Sequence, residues 1–194
     1  MGNLFFVTKN KYLSKIFQEL RKLLKKLILL QNQFLEVPLN IYNVYLPLKI
    51  CFMTNNPKKK LRYDKAYLRM AKEWGNLSYC ERKKVGAIIV KDNMIISDGY
   101  NGTPSGFENC CEDDHDTTKW YVLHAEANAI LKVARSTQSC QDATLYITLS
   151  PCKDCSKLIH QAGITRVVFN EKYSDTSGVD FLLKAGVMVE QIQL

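Results

Sequence analysis

His124 and Glu126 stand two residues apart in "YVLHAEANAI", and Cys152 and Cys155 stand three apart in "LSPCKDC", directly after Pro151. These residue types at these spacings suit metal chemistry. A zinc ion takes thiolate sulfur and imidazole nitrogen in tetrahedral geometry, and a catalytic zinc keeps one position for water. His124, Cys152 and Cys155 would supply three ligands and leave the fourth position open. Glu126 is then placed to reach the water rather than the metal, and would move a proton from it to a substrate. Each residue has a simpler reading alone: a redox pair, a structural histidine, a carboxylate in the first turn of a helix. Taken together, those readings leave an ionisable group in an apolar helix beside a two-cysteine turn with no joint purpose.

The elements that must position these side chains follow from the hydropathy pattern. Residues 57–78 read as a helix with Pro57 in its first turn. "VGAIIV" and "MIISDGYNG" read as strands joined by the turn "KDN". Residues 102–121 form a long polar loop, a length that marks function or disorder. "HAEANAILKVAR" is apolar nearly all round and reads as a buried helix. Then follow a strand "ATLYITL", a helix "CKDCSKLIHQAG" ending at Gly163, a strand "ITRVVFN", a helix "SGVDFLLKAG" and a last strand "VMVEQIQL". This order predicts an α/β protein, a three-layer α/β/α sandwich around a mixed sheet of about five strands. His124 and Pro151–Cys152 then begin two helices whose N-termini aim at one point. Their free N–H groups and dipoles favour the thiolates there.

Charge argues against a polymeric ligand. The chain carries +8 overall, but residues 1–52 hold eight lysines and arginines against two acids, and residues 53–194 nineteen against seventeen. The body is nearly neutral, so a long anionic polymer is not demanded. Residues 1–52 read as a basic, Leu/Lys-rich extension, disordered or lying upstream of a native start at Met53, and residues 53–194 as the zinc-dependent domain. The apolar run "LILL" is too short for a membrane span or a secretory signal. Seven cysteines without such a signal speak for a reducing cytoplasm and against a disulfide framework.

His124-Ala125-Glu126 with Pro151-Cys152-Lys153-Asp154-Cys155 resembles the H-x-E…P-C-x-x-C signature of zinc nucleobase deaminases. Over residues 57–194, "KVGAIIV", "GYNGTPSGFENC", "HAEANAI", "TLYITLSPCKDC" and "GVDFLLKAGV" resemble the deoxycytidylate (dCMP) deaminases, within the cytidine-deaminase-like fold. The resemblance implies hydrolysis of dCMP to dUMP and ammonia by a zinc-activated water, supplying thymidylate synthesis. It also implies a cytoplasmic homo-oligomer, often a hexamer, with dCTP and dTTP as effectors and Mg²⁺ accompanying the nucleotide effector. Neither nucleic acid nor membrane is an expected partner.

The same resemblance assigns further residues. Asn101, with donor and acceptor at a strand end, suits a sugar hydroxyl or base edge, and Gly99, Gly102 and Gly106 permit tight turns and close approach to a ligand. Gly102 and Tyr173 are expected at the nucleotide. Asn128 either orients the site or packs its helix. Arg135 either serves allosteric control or is a cation at a helix C-terminus. Cys80, Cys110 and His115 are candidates for a second, structural zinc, the alternative being free thiols in an acidic loop. Cys51 and Cys140 read as isolated thiols and His160 as a packing residue. Two other functions stay open: deamination of a base in nucleic acid, of the tRNA adenosine type, and a non-catalytic, competence-associated binding module.

Overall fold

The computed structural model describes residues 57–194. The expected boundary after residue 52 and the basic helix before it lie outside the described residues. Helix α1 (Pro57–Gly75) buries Asp64, Tyr67, Leu68 and Ala71, the three-to-four spacing of one helical face. Strands β1 (Gly86–Lys91) and β2 (Met94–Tyr100) form a hairpin. Its turn residues Asp92 and Asn93 both have positive φ, 51° and 62°, as a tight turn matching the strand twist requires. Helix α2 (Ala125–Ala134), β3 (Thr144–Leu149), α3 (Lys153–Gln161), β4 (Arg166–Glu171), α4 (Ser177–Lys184) and β5 (Met188–Gln191) follow.

The sheet has the order β2-β1-β3-β4-β5. β1 pairs antiparallel with β2 and β3, while β3, β4 and β5 run parallel. Alternation along the strands divides the core in two. Ile88, Val90, Tyr146 and Val168 face one side and pack with Tyr67, Leu68 and Ala71 of α1. Ala87, Ile89, Leu145, Ile147, Val167 and Phe169 face the other, against Ala125, Ala129, Ile159 and Leu182 of α2, α3 and α4. The architecture is therefore the expected three-layer sandwich around a mixed five-stranded sheet.

Two expectations need correction. Helix α2 is not buried all round: Ala125, Glu126, Ala127, Ala129 and Val133 are buried, but Leu131 is 50% exposed and Lys132 and Arg135 are exposed. Only one side of it meets the sheet. Gly99 does make a close approach, but to α2 rather than to a ligand. A Cβ there would stand 2.3 Å from the Ala125 carbonyl oxygen and 2.7 Å from the Ala129 nitrogen. The helix that begins at His124 thus lies directly on the backbone of β2. Gly99→Ala should cost roughly 1–3 kcal/mol of stability, because only main-chain movement relieves the overlap. Urea unfolding measures this, and loss of zinc content in the folded variant would report displacement of α2.

Candidate metal centre

Two helix starts converge on one point. His124 is the N-cap of α2 and Cys152 the N-cap of α3, both with extended backbone and neither capped by a side chain. Cys155 lies in the first turn of α3 and is buried. His124 Nδ1 stands 3.5 Å from Cys152 Sγ and 3.4 Å from Cys155 Sγ. The three donor atoms lie within 4.8 Å of one another, and they form the one such gathering of metal-ligating groups among the described residues. Gly178, at the start of α4, supports this corner. A Cβ there would meet the Pro151 carbonyl oxygen at 2.3 Å, so α4 backs directly onto the turn that carries Cys152.

Protons are unevenly shared in the set. The Cys155 hydrogen bond, then that of His124, hold the Cys152 thiol down at about 3. The bond from Cys152 and burial push the Cys155 thiol up. The Cys152 hydrogen bond also raises His124. Glu126 is 3% exposed, and burial pushes its carboxyl up to about 7 against the opposing pull of its own backbone bond and of His124. The donor set of two thiolates and an imidazole at positive helix ends fits zinc.

A cavity of about 290 Å³ leads to these residues, with Asn101, Ser150 and Tyr173 in its wall. That is close to the lower end of the roughly 300–1,000 Å³ usual for small-molecule sites. Tyr173 is held at the rim by its backbone N–H, which donates to Ser150 Oγ at 2.8 Å. Asn101 is buried, and its amide is engaged with the main chain. Oδ1 accepts from Val85 N at 2.8 Å and Nδ2 donates to Lys83 O at 2.7 Å. It braces the entry to β1 as well as lining the cavity.

Gly102, Asn128 and Arg135 do not join this group. They line a separate cavity of about 710 Å³. Gly102 bridges Leu123, and neighbouring residues of the two bridged segments alternate between the cavities: Asn101, Val122 and His124 face the first, Gly102 and Leu123 the second. Asn128 Nδ2 donates to Tyr100 O at 2.8 Å, which ties α2 to the end of β2.

The second metal trio is not gathered. Cys80 is joined to Cys111 by a disulfide closing 31 residues of chain, against the expectation of free thiols. Cys111 is buried, while Cys110 is exposed with its Sγ 3.3 Å from Glu112 O. Consecutive loop residues point to opposite sides, so only one of the two sulfurs faces Cys80. His115 is exposed, in a turn where Asp113 Oδ1 accepts from the N–H groups of His115 and Thr117, each at 2.9 Å. Of the other expectations, Cys140 is a buried free thiol that burial pushes up. His160 packs edge-on against Phe181 at 6.0 Å. Arg82 and Lys83, which line the metal-site cavity, escaped the sequence reading; their signal is the basic run "ERKK" immediately before β1.

A three-layer sandwich that brings one imidazole, two thiols and a buried carboxylate to converging helix ends defines the class of zinc-dependent hydrolytic deaminases. Residues 61–171 match the family model described as the cytidine and deoxycytidylate deaminase zinc-binding region. The chain belongs to that family. It is 37% identical over 155 residues to the deoxycytidylate deaminase of Enterobacteria phage T4, covering 58% of this chain and 80% of the relative. It is 34% identical over 145 residues to the deoxycytidylate deaminase of Saccharomyces cerevisiae, covering 70% of this chain. The match spans about half the length of that yeast relative, 46%. Its structure is similar to the crystal structure of dCMP deaminase from cyanophage S-TIM5 in complex with dCMP and dUMP, with a TM-score of 0.67 and 46% identity over 68% of this chain and 97% of that one.

Proposed function

We propose that this chain hydrolyses dCMP to dUMP and ammonia and so supplies dUMP for thymidylate synthesis. The observation that carries this reading is the convergence of His124, Cys152 and Cys155 beside the buried carboxyl of Glu126 at the end of a small-molecule cavity. The phage and yeast relatives named deoxycytidylate deaminase support the choice of substrate. His124, Cys152 and Cys155 would hold the zinc, which would supply an activated water for attack on the amino-bearing carbon of the base. A carboxylate oxygen of Glu126 would carry two protons in turn, one from the attacking water to the ring nitrogen and one from the resulting hydroxyl to the departing amine, and ends ionised as it began. Water and dCMP are consumed and dUMP and ammonia released, so atoms and charge balance. Burial of Glu126 keeps bulk water from competing for that proton. Asn101 and Tyr173 flank the nucleotide.

The same reading makes the protein a cytoplasmic homo-oligomer. Trp120, 93% exposed, and Phe107, 56% exposed, support self-association. It also makes dCTP, with Mg²⁺, and dTTP effectors, and Arg135 in the separate cavity supports a nucleotide seat there. Among the described residues no helix is long and apolar enough to cross a membrane. Steady-state turnover of dCMP, CMP, deoxycytidine and cytosine by zinc-loaded protein tests the proposal. We expect dCMP to be the preferred substrate. No turnover of dCMP, with or without dCTP and Mg²⁺, would sink it.

A further inference from the structure

Three of the helices mix or pair their exposed charges. Lys157 bonds Asp154 on α3 at 2.8 Å, Lys132 of α2 bonds Asp98 at 2.6 Å, and α4 carries Asp180 with Lys184. Helix α1 does neither. Lys58, Arg62, Lys65, Arg69 and Lys72 follow one another at steps of four, three, four and three residues. At the helical repeat they fall in one narrow sector and form a single row about 21 Å long. The row lies away from buried Asp64, Tyr67, Leu68 and Ala71, so it points out from the sheet; Lys65 is half-buried and the other four cations are exposed. Among the described residues, no ion pair engages Arg62, Lys65, Arg69 or Lys72. Lys60, at the inner edge, is by contrast paired with Glu190 at 3.3 Å. Glu73 is the helix's one exposed acid, and it accepts from Asn76 Nδ2 at 3.3 Å. Like charges three and four residues apart destabilise a helix. Four such steps in succession, with no acid set against them, suit a partner of opposite charge.

Net charge hides this row. Residues 53–194 hold nineteen cations and seventeen acids, which nearly cancel, whereas α1 alone holds seven against two. Exposed apolar side chains border the row, Leu61 along one side and Tyr63 and Met70 along the other. Arg62 and Lys59 lie over the Tyr63 ring, 5.9 and 6.0 Å from its centroid. A single strand of nucleic acid is tracked by a basic groove with stacked bases, and duplex base edges are read largely by Arg, Asn and Gln in the groove. Helix α1 is an outer layer of the sandwich, a ridge rather than a groove, and it contains no Asn or Gln. A bilayer is flat along the length of a helix. It takes cations at the level of its phosphates and accepts Leu, Tyr and Met just beneath. The chain also enters α1 from a stretch of similar composition. Residues 1–52 hold eight lysines and arginines against two acids, with leucine and isoleucine among them. Stable attachment to a membrane surface takes two such signals rather than one.

We propose that the outer face of α1 is a docking surface for an acidic phospholipid bilayer, with the helix parallel to the membrane, its row of cations at the headgroups and Leu61, Tyr63 and Met70 at the acyl boundary. Helix α1 covers the face of the sheet opposite α2, α3 and α4. The metal centre at the starts of α2 and α3 then lies across the sheet from the bilayer, and the protein is held at the surface without spanning it.

Co-sedimentation of the full-length protein with phosphatidylcholine vesicles, with and without phosphatidylserine, tests this. The wild type should pellet with the phosphatidylserine vesicles only, and should be released as ionic strength rises. Arg62→Gln/Arg69→Gln/Lys72→Gln should weaken partitioning at least about tenfold, since each cation at an acidic surface contributes roughly fivefold. Arg69→Gln alone should lose part of this. Lys157→Gln/Lys172→Gln/Lys184→Gln removes the same charge from exposed sites elsewhere and should bind as the wild type does. Tyr63→Ser/Met70→Ser keeps every charge and should also weaken binding, which a purely ionic contact would not show. A wild type that ignores phosphatidylserine vesicles overturns the proposal. So does a triple variant, folded by urea unfolding, that partitions like the wild type, because attraction would then rest on residues 1–52. Tighter binding to a single-stranded or duplex oligonucleotide than to vesicles, unchanged in Tyr63→Ser/Met70→Ser, overturns the lipid assignment in favour of nucleic acid.

Discussion

Glu126→Gln should retain zinc, fold and nucleotide binding while losing roughly 10²–10⁴-fold in kcat, the usual contribution of a positioned proton-transfer group. The substitution keeps the shape of the side chain and most of its hydrogen-bonding capacity in a position that is 3% exposed. It removes only the ability to take up and return a proton. The amide cannot regain that ability at any pH, so the loss should persist across the whole accessible pH range. Zinc content should be unaffected, because the proposed ligands are His124, Cys152 and Cys155 and the carboxylate is not needed to gather them. The measurement pairs a metal assay with single-turnover kinetics on one sample. A variant that keeps zinc and also keeps wild-type turnover would remove Glu126 from the chemistry. A wild type with zinc and no turnover on any nucleotide would instead make the chain a zinc-stabilised binding module, and the variant would then behave like its parent. His124→Ala or Cys152→Ser would be a poorer probe, since metal and activity fall together and the proton-transfer step is never isolated.

What could be read from the residues alone divides by the range of the interaction. The gathering of His124, Cys152 and Cys155 was legible because each half of it is local. "HAE" and "PCKDC" put rare residue types at the first turns of two helices, and helix starts are visible in sequence. The layer order was legible too, because short apolar runs such as "GAIIV", "TLYITL" and "RVVFN" alternate along the chain with helical segments. Features that depend on how distant segments meet were not. Gly99 is a turn residue to the eye, but its partner is the backbone of α2, 26 and 30 residues away at Ala125 and Ala129. Asn101 suggested a ligand contact by its chemistry, while most of its bonding goes to Lys83 and Val85. Cys80 finds Cys111 rather than Cys110 because of the direction a loop residue happens to face. Gly102 and Asn128 were grouped with the nucleotide site, yet a bridge between Gly102 and Leu123 stands between the two cavities.

The most distant of these pairings carries the largest expected effect on stability. Arg166→Met should destabilise the fold by about 3–5 kcal/mol, the usual cost of breaking a buried pair from one side. Asp64 on α1 and Arg166 on β4 are 102 residues apart and meet in a two-pronged bond, Nη1 to Oδ1 and Nη2 to Oδ2, each 2.8 Å. Their side chains are only 4% and 13% exposed. Tyr146 Oη donates to Asp64 Oδ1 at 2.7 Å, and Arg166 Nε donates to Glu190 Oε2 at 2.6 Å. Burial pushes the Asp64 carboxyl up, but the Arg166 and Tyr146 hydrogen bonds outweigh it and hold the group below its ordinary 3.8. With the folded value depressed, the contribution of Asp64 is fully present above the ordinary carboxylate range and is lost as pH falls through the folded value. In Arg166→Met the sign reverses. Burial then dominates, the carboxyl rises, and the deficit should be largest near neutrality and shrink on acidification as Asp64 takes a proton. Replacing the whole network, Asp64→Leu/Tyr146→Phe/Arg166→Met, leaves no buried group orphaned and should recover most of the loss. Urea unfolding of the wild type and both variants across the acid range checks the argument. A single variant as stable as the wild type near neutrality, or a deficit that grows on acidification, would show that α1 is held to the sheet by Tyr67, Leu68 and Ala71 alone.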